Sequence, residues 1–157
     1  MNIPKVITGQ EVVERPDHPI NALVAFYQAF NARNAEAAAN NWSRKYSIAM
    51  SNPIGGIRRN WNAIREGYGK IMEGEARVYV EYHDFNFHLF DNVFYVEGRE
   101  RGSIVTNDLE LGLKVRTTRI YKLFDEGWKQ VHHHGSIDNP ELQQRYQQAI
   151  FKLAKED

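Results

Sequence analysis

The sequence lacks cysteine altogether among its 157 residues. This absence excludes a disulfide framework, a thiol nucleophile and any metal site built from thiolates. The chain also lacks net charge, because 20 basic side chains balance 20 acidic ones at pH 7. A neutral chain has no long-range positive field to attract nucleic acid or an anionic membrane. We therefore expect neither nucleic acid nor a membrane as a partner.

Long apolar runs are missing as well. No segment approaches the roughly 18 continuous apolar residues of a membrane-spanning helix, and the first residues lack the pattern of a signal peptide. Nucleotide-binding loops, G-x-S-x-G elbows and H-E-x-x-H helices are also absent. We expect a cytoplasmic protein with a polar N-terminal arm over residues 1–18 and a single domain over residues 19–157.

The first half of the chain shows helical periodicity. Apolar side chains recur at spacings of three and four, and an alanine-rich segment and turn-forming residues lie between two such stretches. The pattern predicts a helix ending near Asn34, a second helix over 35–42, a loop over 46–60 and a third helix from Trp61 to about Gly74. Asn60 or Asn62 is the expected N-cap of the third helix.

After Gly74 the hydrophobic period changes to two, which indicates strands. Four strand-like runs follow at Arg77–Phe90, Val93–Thr106, Leu111–Phe124 and Trp128–Ser136. Short polar connections predict an antiparallel meander, and strands of this length must curl. A last helix is predicted after Asp138 or Asn139, with an apolar stripe that extends to Leu153. This order of elements is typical of an α+β fold with the helices on one face of the sheet.

Three segments carry a resemblance to a known superfamily: FYVEGRERGSIV, RTTRIYKLFDEG and WKQVHHHGS. With the leading helices, they resemble the SnoaL-like branch of the nuclear transport factor 2-like superfamily, and in particular the association domain of calcium/calmodulin-dependent protein kinase II. The resemblance covers roughly residues 19–136. It implies a cystatin-like cone, in which a curved antiparallel sheet packs on N-terminal helices around a pocket, and commonly a homodimer. Members use the pocket for catalysis, ligand binding or assembly, so the fold does not decide the function.

The resemblance also implies roles for two arginines. In the kinase association domain, basic side chains from three strands receive small carboxylates in the pocket. Arg99 and Arg119 correspond to two of these side chains, and the third position falls at Gly135. The resemblance therefore implies that Arg99 and Arg119 bind a ligand, in a pocket with less positive charge than that of the kinase domain.

Strand parity groups the other candidates, since side chains two residues apart share a face. Thr117, Arg119 and Tyr121 form a polar and aromatic stretch between apolar residues, which suits a pocket wall. An enclosed arginine needs a partner, so Arg119 either binds a ligand or pairs with Glu97 or another acid. Tyr95, Glu97 and Arg99 share a face that is either solvated or lines a polar cavity.

Three consecutive histidines, His132 to His134, raise the possibility of a metal. Adjacent strand residues face opposite sides, so only His132 and His134 could converge, and no further ligand is signalled nearby. We expect no metal and no cofactor. The resemblance places Val131, His133 and Gly135 on the pocket face. His133 is then a general acid or base, or a histidine that only hydrogen-bonds within the wall.

Aromatic residues complete the set of candidates: Trp42, Trp61 and Tyr68 either pack the helices onto the sheet or contact the ligand. Aromatic walls with few polar anchors suit a ring or an acyl chain. The first hypothesis is therefore a homodimeric pocket protein that binds a small, partly apolar ligand with an anionic group.

If the protein is an enzyme, we expect proton transfer of the isomerase or dehydratase type. His133 or Glu97 would be the base, and Tyr95 or Tyr121 would donate a hydrogen bond to the developing charge. The second hypothesis is a non-catalytic assembly module. In both cases we expect a homodimer built partly through the sheet face that carries Trp128, His132 and His134.

Overall fold

The structure is a computed structural model that describes residues 2–151. Its helices are α1 (Ile20–Asn31), α2 (Ala35–Asn40), α3 (Trp61–Met72) and α4 (Pro140–Phe151). Its strands are β1 (Ala49–Ser51), β2 (Arg77–Phe90), β3 (Val93–Val105), β4 (Glu110–Phe124) and β5 (Gly127–Ser136). The predicted α+β class and the long antiparallel meander are confirmed. No helix within residues 2–151 is long and apolar enough to cross a bilayer.

The strands form one sheet in the order β1-β5-β4-β3-β2. The four long strands pair antiparallel with their sequence neighbours, whereas β1 pairs in parallel with β5. The prediction of a continuous loop over 46–60 is therefore wrong at Ala49–Ser51. Three residues are too few for an alternating pattern to be recognised. The segment is a strand because it pairs with His132–His134 of β5.

Helix boundaries follow local capping chemistry. The first helix ends at Asn31 rather than near Asn34, because Arg33 adopts a left-handed φ of 57° and Asn34 caps α2 by accepting a hydrogen bond from the Ala37 amide. Asn60 caps α3, and the Asn139 side chain accepts from the amide of Leu142 at the start of α4. Leu153, predicted on the last helix, lies outside the described residues.

The core lies between the inner face of the sheet and the helices. Its largest fully buried side chains are aromatic: Phe26, Tyr27, Trp42, Tyr82, Phe94 and Tyr121. The N-terminal segment is attached to this core, because Ile7 is fully buried and exchanges two backbone hydrogen bonds with Tyr82 of 3.0 and 2.8 Å. The helices and sheet thus enclose one interior, and the inner face of the sheet forms its floor.

A bulge in β5 decides which side chains point into that interior. Ile120 pairs with His132, but Tyr121 pairs with Gln130, so Val131 is the extra residue. Gln130 consequently faces inward and is fully buried. Trp128 also packs inside, with its ring centroid 5.3 Å from that of Phe94. The expected placement of Trp128 on the outer face is therefore wrong, whereas Val131 is partly buried and packs against the core.

Candidate functional site

A small cavity lies between the inner face of the sheet and helices α1, α3 and α4. Its volume is about 40 Å³. Such a volume is enough for water but not for a drug-sized ligand. The apolar part of its wall includes Phe30, Ile71, Leu113 and Val115. Its polar residues are Asn52, Tyr68, Glu100, Arg119, His133 and Tyr146.

Arg119 is held from several sides. Its Nη2 donates to Glu100 Oε1 at 2.8 Å, and its Nη1 donates to Gln130 Oε1 at 2.8 Å. Its Nε donates to the Tyr27 hydroxyl at 3.3 Å, and the guanidinium carbon lies 3.9 Å from the centre of the Phe26 ring. The side chain therefore has the partners that a buried arginine requires.

The charge of Arg119 is compensated inside the protein. Burial by itself would lower the pKa of Arg119, but Tyr27 and Glu100 beside it raise that pKa well above its usual value. The structural interpretation of Arg119 as a residue paired with an acid is correct, with Glu100 and not Glu97 as the acid. Burial, and then Glu100, raise the pKa of Tyr27, whose hydroxyl donates to Glu100 Oε1 at 2.8 Å.

Within residues 2–151, His133 is the side chain of the wall whose polar atoms are buried without a partner. It is 5% exposed, and neither ring nitrogen has a hydrogen-bond partner among residues 2–151. Burial lowers the pKa of His133 well below 6.5, and the nearby Arg119 lowers it further. The ring is therefore neutral at pH 7, with one nitrogen able to donate and the other able to accept. Most buried polar groups are paired, so His133 calls for an explanation.

Gly135 keeps the space beside His133 open. It lies on the inner face of β5, and a Cβ at this position would sit 3.1 Å from His133 Nε2 and 3.2 Å from Pro53 Cδ. Those distances are tighter than ordinary van der Waals contacts, so any larger residue would crowd the imidazole. The inward direction of His133 and Gly135 agrees with the resemblance.

Three of the predicted site residues lie on the opposite face of the sheet. Val96 pairs with Arg119, so the even-numbered residues of this part of β3 face inward, and Tyr95, Glu97 and Arg99 face outward. Glu97 Oε2 lies 2.8 Å from His88 Nε2, and Arg99 lies 3.5 Å from Asp138. The expectation that these side chains share a pocket with Arg119 is wrong. Adjacent residues of a strand point to opposite faces, so an error of one residue in the inward-facing set moves a side chain to the other face.

The remaining candidates are buried or partly buried and do not line the cavity. The Tyr121 hydroxyl is bound to Asn41 Oδ1 at 2.8 Å, and the Thr117 hydroxyl donates to the carbonyl of Val115 at 3.3 Å. Trp61 spans α3 and α2 by donating to the carbonyl of Ala39. Trp42 acts indirectly, since its Nε1 donates to the Tyr68 hydroxyl at 2.9 Å and so positions a residue that does line the cavity.

Among the side chains that bind Arg119, Glu100 and Gln130 were not predicted from the sequence. Glu100 had a signal, because Phe94, Val96 and Ile104 mark the core face of β3 and Glu100 is an acid on that face. Gln130 had none, because the bulge that turns it inward is not visible in the alternation of residues. Among residues 2–151 no group of three or more His, Cys, Asp or Glu side chains is arranged to hold a metal ion.

Comparison with known proteins gives the following similarities. A family model described as a SnoaL-like domain matches residues 20–140. The search of curated proteins gives no match. Among solved structures, a candidate dehydratase of the NTF2-like family from Streptomyces avermitilis has a TM-score of 0.66 at 18% identity, over 73% of this chain and 89% of that one.

Two further structures are similar over most of their length. A candidate association domain of calcium/calmodulin-dependent protein kinase type II from Thiobacillus denitrificans has a TM-score of 0.62 at 22% identity, covering 77% of this chain and 95% of that one. A ketosteroid isomerase-like protein from Erwinia carotovora atroseptica has a TM-score of 0.65 at 12% identity, covering 78% and 95%. At these identities the similarity shows the fold, which is the nuclear transport factor 2-like fold that the resemblance implies.

Proposed function

The chain belongs to the SnoaL-like domain family, and on that premise we propose that it binds a small, mostly apolar molecule whose polar end contacts His133. The observation that carries the proposal is the buried imidazole with two unpartnered nitrogens on the wall of a cavity. Leaving a buried polar group unpaired costs about 1–3 kcal/mol. A ligand that hydrogen-bonds to the ring removes this cost, and the apolar wall accommodates the rest of the molecule.

The two arginines that suggested an anionic group on the ligand do not offer it a free positive charge. That group was expected from Arg99 and Arg119, but Arg99 lies on the outer face and the charge of Arg119 is compensated by Glu100. An anion would enter an interior whose charges already balance, where an extra charge is costly. The arrangement therefore favours a neutral polar end on the ligand over a carboxylate.

Access to the cavity involves helix α4. Drug-sized ligands occupy pockets of about 300–1,000 Å³, far more than this cavity offers. Tyr146 of α4 lines the cavity, and Gln143 and Gln147 donate to the carbonyl of Pro53 at 2.6 and 3.2 Å. We expect α4 and the segment around Pro53 to move apart when a ligand of six or more heavy atoms binds.

Proton transfer is the chemistry that this wall supports. The neutral imidazole of His133 has a free nitrogen that can accept a proton from a ligand oxygen or carbon, and its lowered pKa makes it a weak base. The hydroxyl of Tyr68 accepts from Trp42, so its own hydrogen is left to stabilise negative charge that develops on the ligand. Burial raises the pKa of Tyr68 to about 12, which keeps this donor protonated. Isomerisation and dehydration both need such a pair, and similar structures are described as a candidate dehydratase and as ketosteroid isomerase-like.

The experiment that tests the proposal is a thermal-shift screen of small ring alcohols, ketones and acids against the wild type and His133→Phe. Phenylalanine keeps a planar ring but removes both nitrogens. We expect at least one compound to raise the melting temperature of the wild type and to lose most of that effect in His133→Phe. His134→Phe is the matched control, because His134 is exposed on the other face of the same strand. If no compound stabilises the wild type, the pocket proposal is wrong.

An assembly module is the second candidate function, and the outer sheet face favours it. Phe90 is 61% exposed there, and Tyr95 stacks on His88 with ring centroids 4.3 Å apart. We propose a homodimer through this face, which also carries His132 and His134 but not Trp128. Light scattering at tens of micromolar, compared with a Tyr95→Glu variant, tests it: a wild-type dimer that becomes a monomer in the variant supports the interface, and a wild-type monomer contradicts it.

A further inference from the structure

Glu100 is a second polar group of the cavity that has capacity for a ligand. We propose that its Oε2 accepts a hydrogen bond from the bound molecule, which makes the ligand class a small, neutral, mostly apolar alcohol or phenol. The inference rests on the proposed function, since it requires that the cavity binds a ligand. It adds a residue that determines specificity, and it specifies that this residue selects a neutral hydrogen-bond donor on the ligand.

The two oxygens of Glu100 have different surroundings. Arg119 Nη2 and the Tyr27 hydroxyl both donate to Oε1, each at 2.8 Å. Every hydrogen bond that the Glu100 side chain accepts from the described part of the chain falls on this oxygen. The side chain is 10% exposed and lines the cavity. Oε1 is thus committed to the protein, whereas Oε2 accepts no hydrogen bond from residues 2–151 and is the oxygen left for a ligand.

Charge decides which ligand groups Oε2 tolerates. Arg119 keeps its proton and pairs with Glu100, so its single positive charge neutralises the single negative charge of the carboxylate. A ligand carboxylate would add a second negative charge in the same enclosed space, and like charges in such a site repel strongly. A hydroxyl has the opposite property, because it donates its hydrogen to Oε2 without adding charge. A site that needs a donor also discriminates against an analogue that lacks one.

His133 fits the same class of ligand. Its neutral ring presents one donor and one acceptor to the cavity, and a hydroxyl or carbonyl oxygen can accept from that donor. The apolar positions Phe30, Ile71 and Leu113 suit a hydrocarbon ring rather than a sugar or other highly polar molecule. The site assigned by the structure therefore combines an apolar wall, an acceptor-only group at Glu100 and an adaptable group at His133.

The test uses matched probes that differ in one group: cyclohexanol, its methyl ether and cyclohexanecarboxylate, with phenol, anisole and benzoate as the aromatic series. Dissociation constants are measured by calorimetry or thermal shift at pH 7.5. For the wild type we expect the alcohol or phenol to bind at least ten times more tightly than the ether and the acid. In Glu100→Gln an amide group replaces the carboxylate, so we expect the preference for the alcohol over the ether to disappear.

Glu97→Gln is the matched control, because it makes the same change on the same strand but on the outer face. It should keep the wild-type preference. Equal binding of alcohol and ether, or tighter binding of the acid, overturns the role of Glu100 while leaving the pocket intact. If none of the six probes binds, the pocket proposal and this inference both fail. If Glu100→Gln does not fold, equal binding of alcohol and ether by the wild type still overturns the role of Glu100.

Discussion

Replacing His133 with phenylalanine tests whether the imidazole is a buried group without a protein partner. At neutral pH the change removes two unpaired nitrogens, each of the kind that costs about 1–3 kcal/mol when buried. The added ring atom extends toward a cavity of about 40 Å³ rather than into a packed wall. We therefore expect His133→Phe to be at least as stable as the wild type at pH 7.5, although most large changes in a core destabilise.

The same variant has a predictable effect on pH dependence. The pKa of His133 is 6.5 in the unfolded chain and well below that in the folded protein. The unfolded state therefore binds more protons below pH 6.5, and wild-type stability falls as the pH decreases toward the folded pKa. Between pH 6.5 and 5.0 the loss from this residue is on the order of 1–2 kcal/mol, because its folded pKa lies well below the unfolded one. His133→Phe should lack this loss.

Urea denaturation at several pH values between 7.5 and 5.0 measures both effects as free energies of unfolding. His18 and His132, whose pKa values are also lowered by burial, contribute to both proteins and cancel in the difference. His134→Phe should follow the wild type. Equal pH slopes for the wild type and His133→Phe, or a variant destabilised by several kcal/mol at pH 7.5, would refute the placement of an unpartnered imidazole in this cavity.

Three further predictions follow from the same geometry. Arg119→Met should destabilise the protein by about 3–5 kcal/mol in chemical denaturation, because it leaves Glu100 buried without its counter-ion; a change below about 1 kcal/mol would show that solvent reaches Glu100. Gly135→Ala should lower the affinity for the probes and change the melting temperature little, since the new Cβ crowds His133 Nε2; unchanged affinity would place the ligand elsewhere. Dialysis against a strong chelator should leave the melting temperature unchanged, and a large drop would reveal a metal needed for folding.

The fold was largely predictable because its strongest signals are local. The period of two over β2 to β5, the hairpin residues between these strands and Asn60 at the start of α3 each act within a few positions. The resemblance then supplied the superfamily. β1 could not be predicted, because a three-residue strand acquires its order from the edge of β5 and not from its own sequence.

The site was harder to predict because it depends on parity. Arg99 and Glu100 are adjacent in sequence, and only the pairing of Val96 with Arg119 shows that Glu100 is the inward one. The alternation of Phe94, Val96 and Ile104 also indicated that Glu100 faces inward. The resemblance instead implied that Arg99, on the opposite face, lines the pocket. At β5 a single extra residue, Val131, reverses the alternation and brings Gln130 to Arg119.

The central claim is that a small molecule occupies the cavity and contacts His133. A crystal structure of the protein soaked with the tightest-binding probe tests it most directly. We predict density for the probe between α4 and the sheet, with a polar atom within hydrogen-bond distance of a His133 ring nitrogen. A cavity that stays closed by side chains, or a probe bound only on the outer face near Tyr95, would contradict the claim.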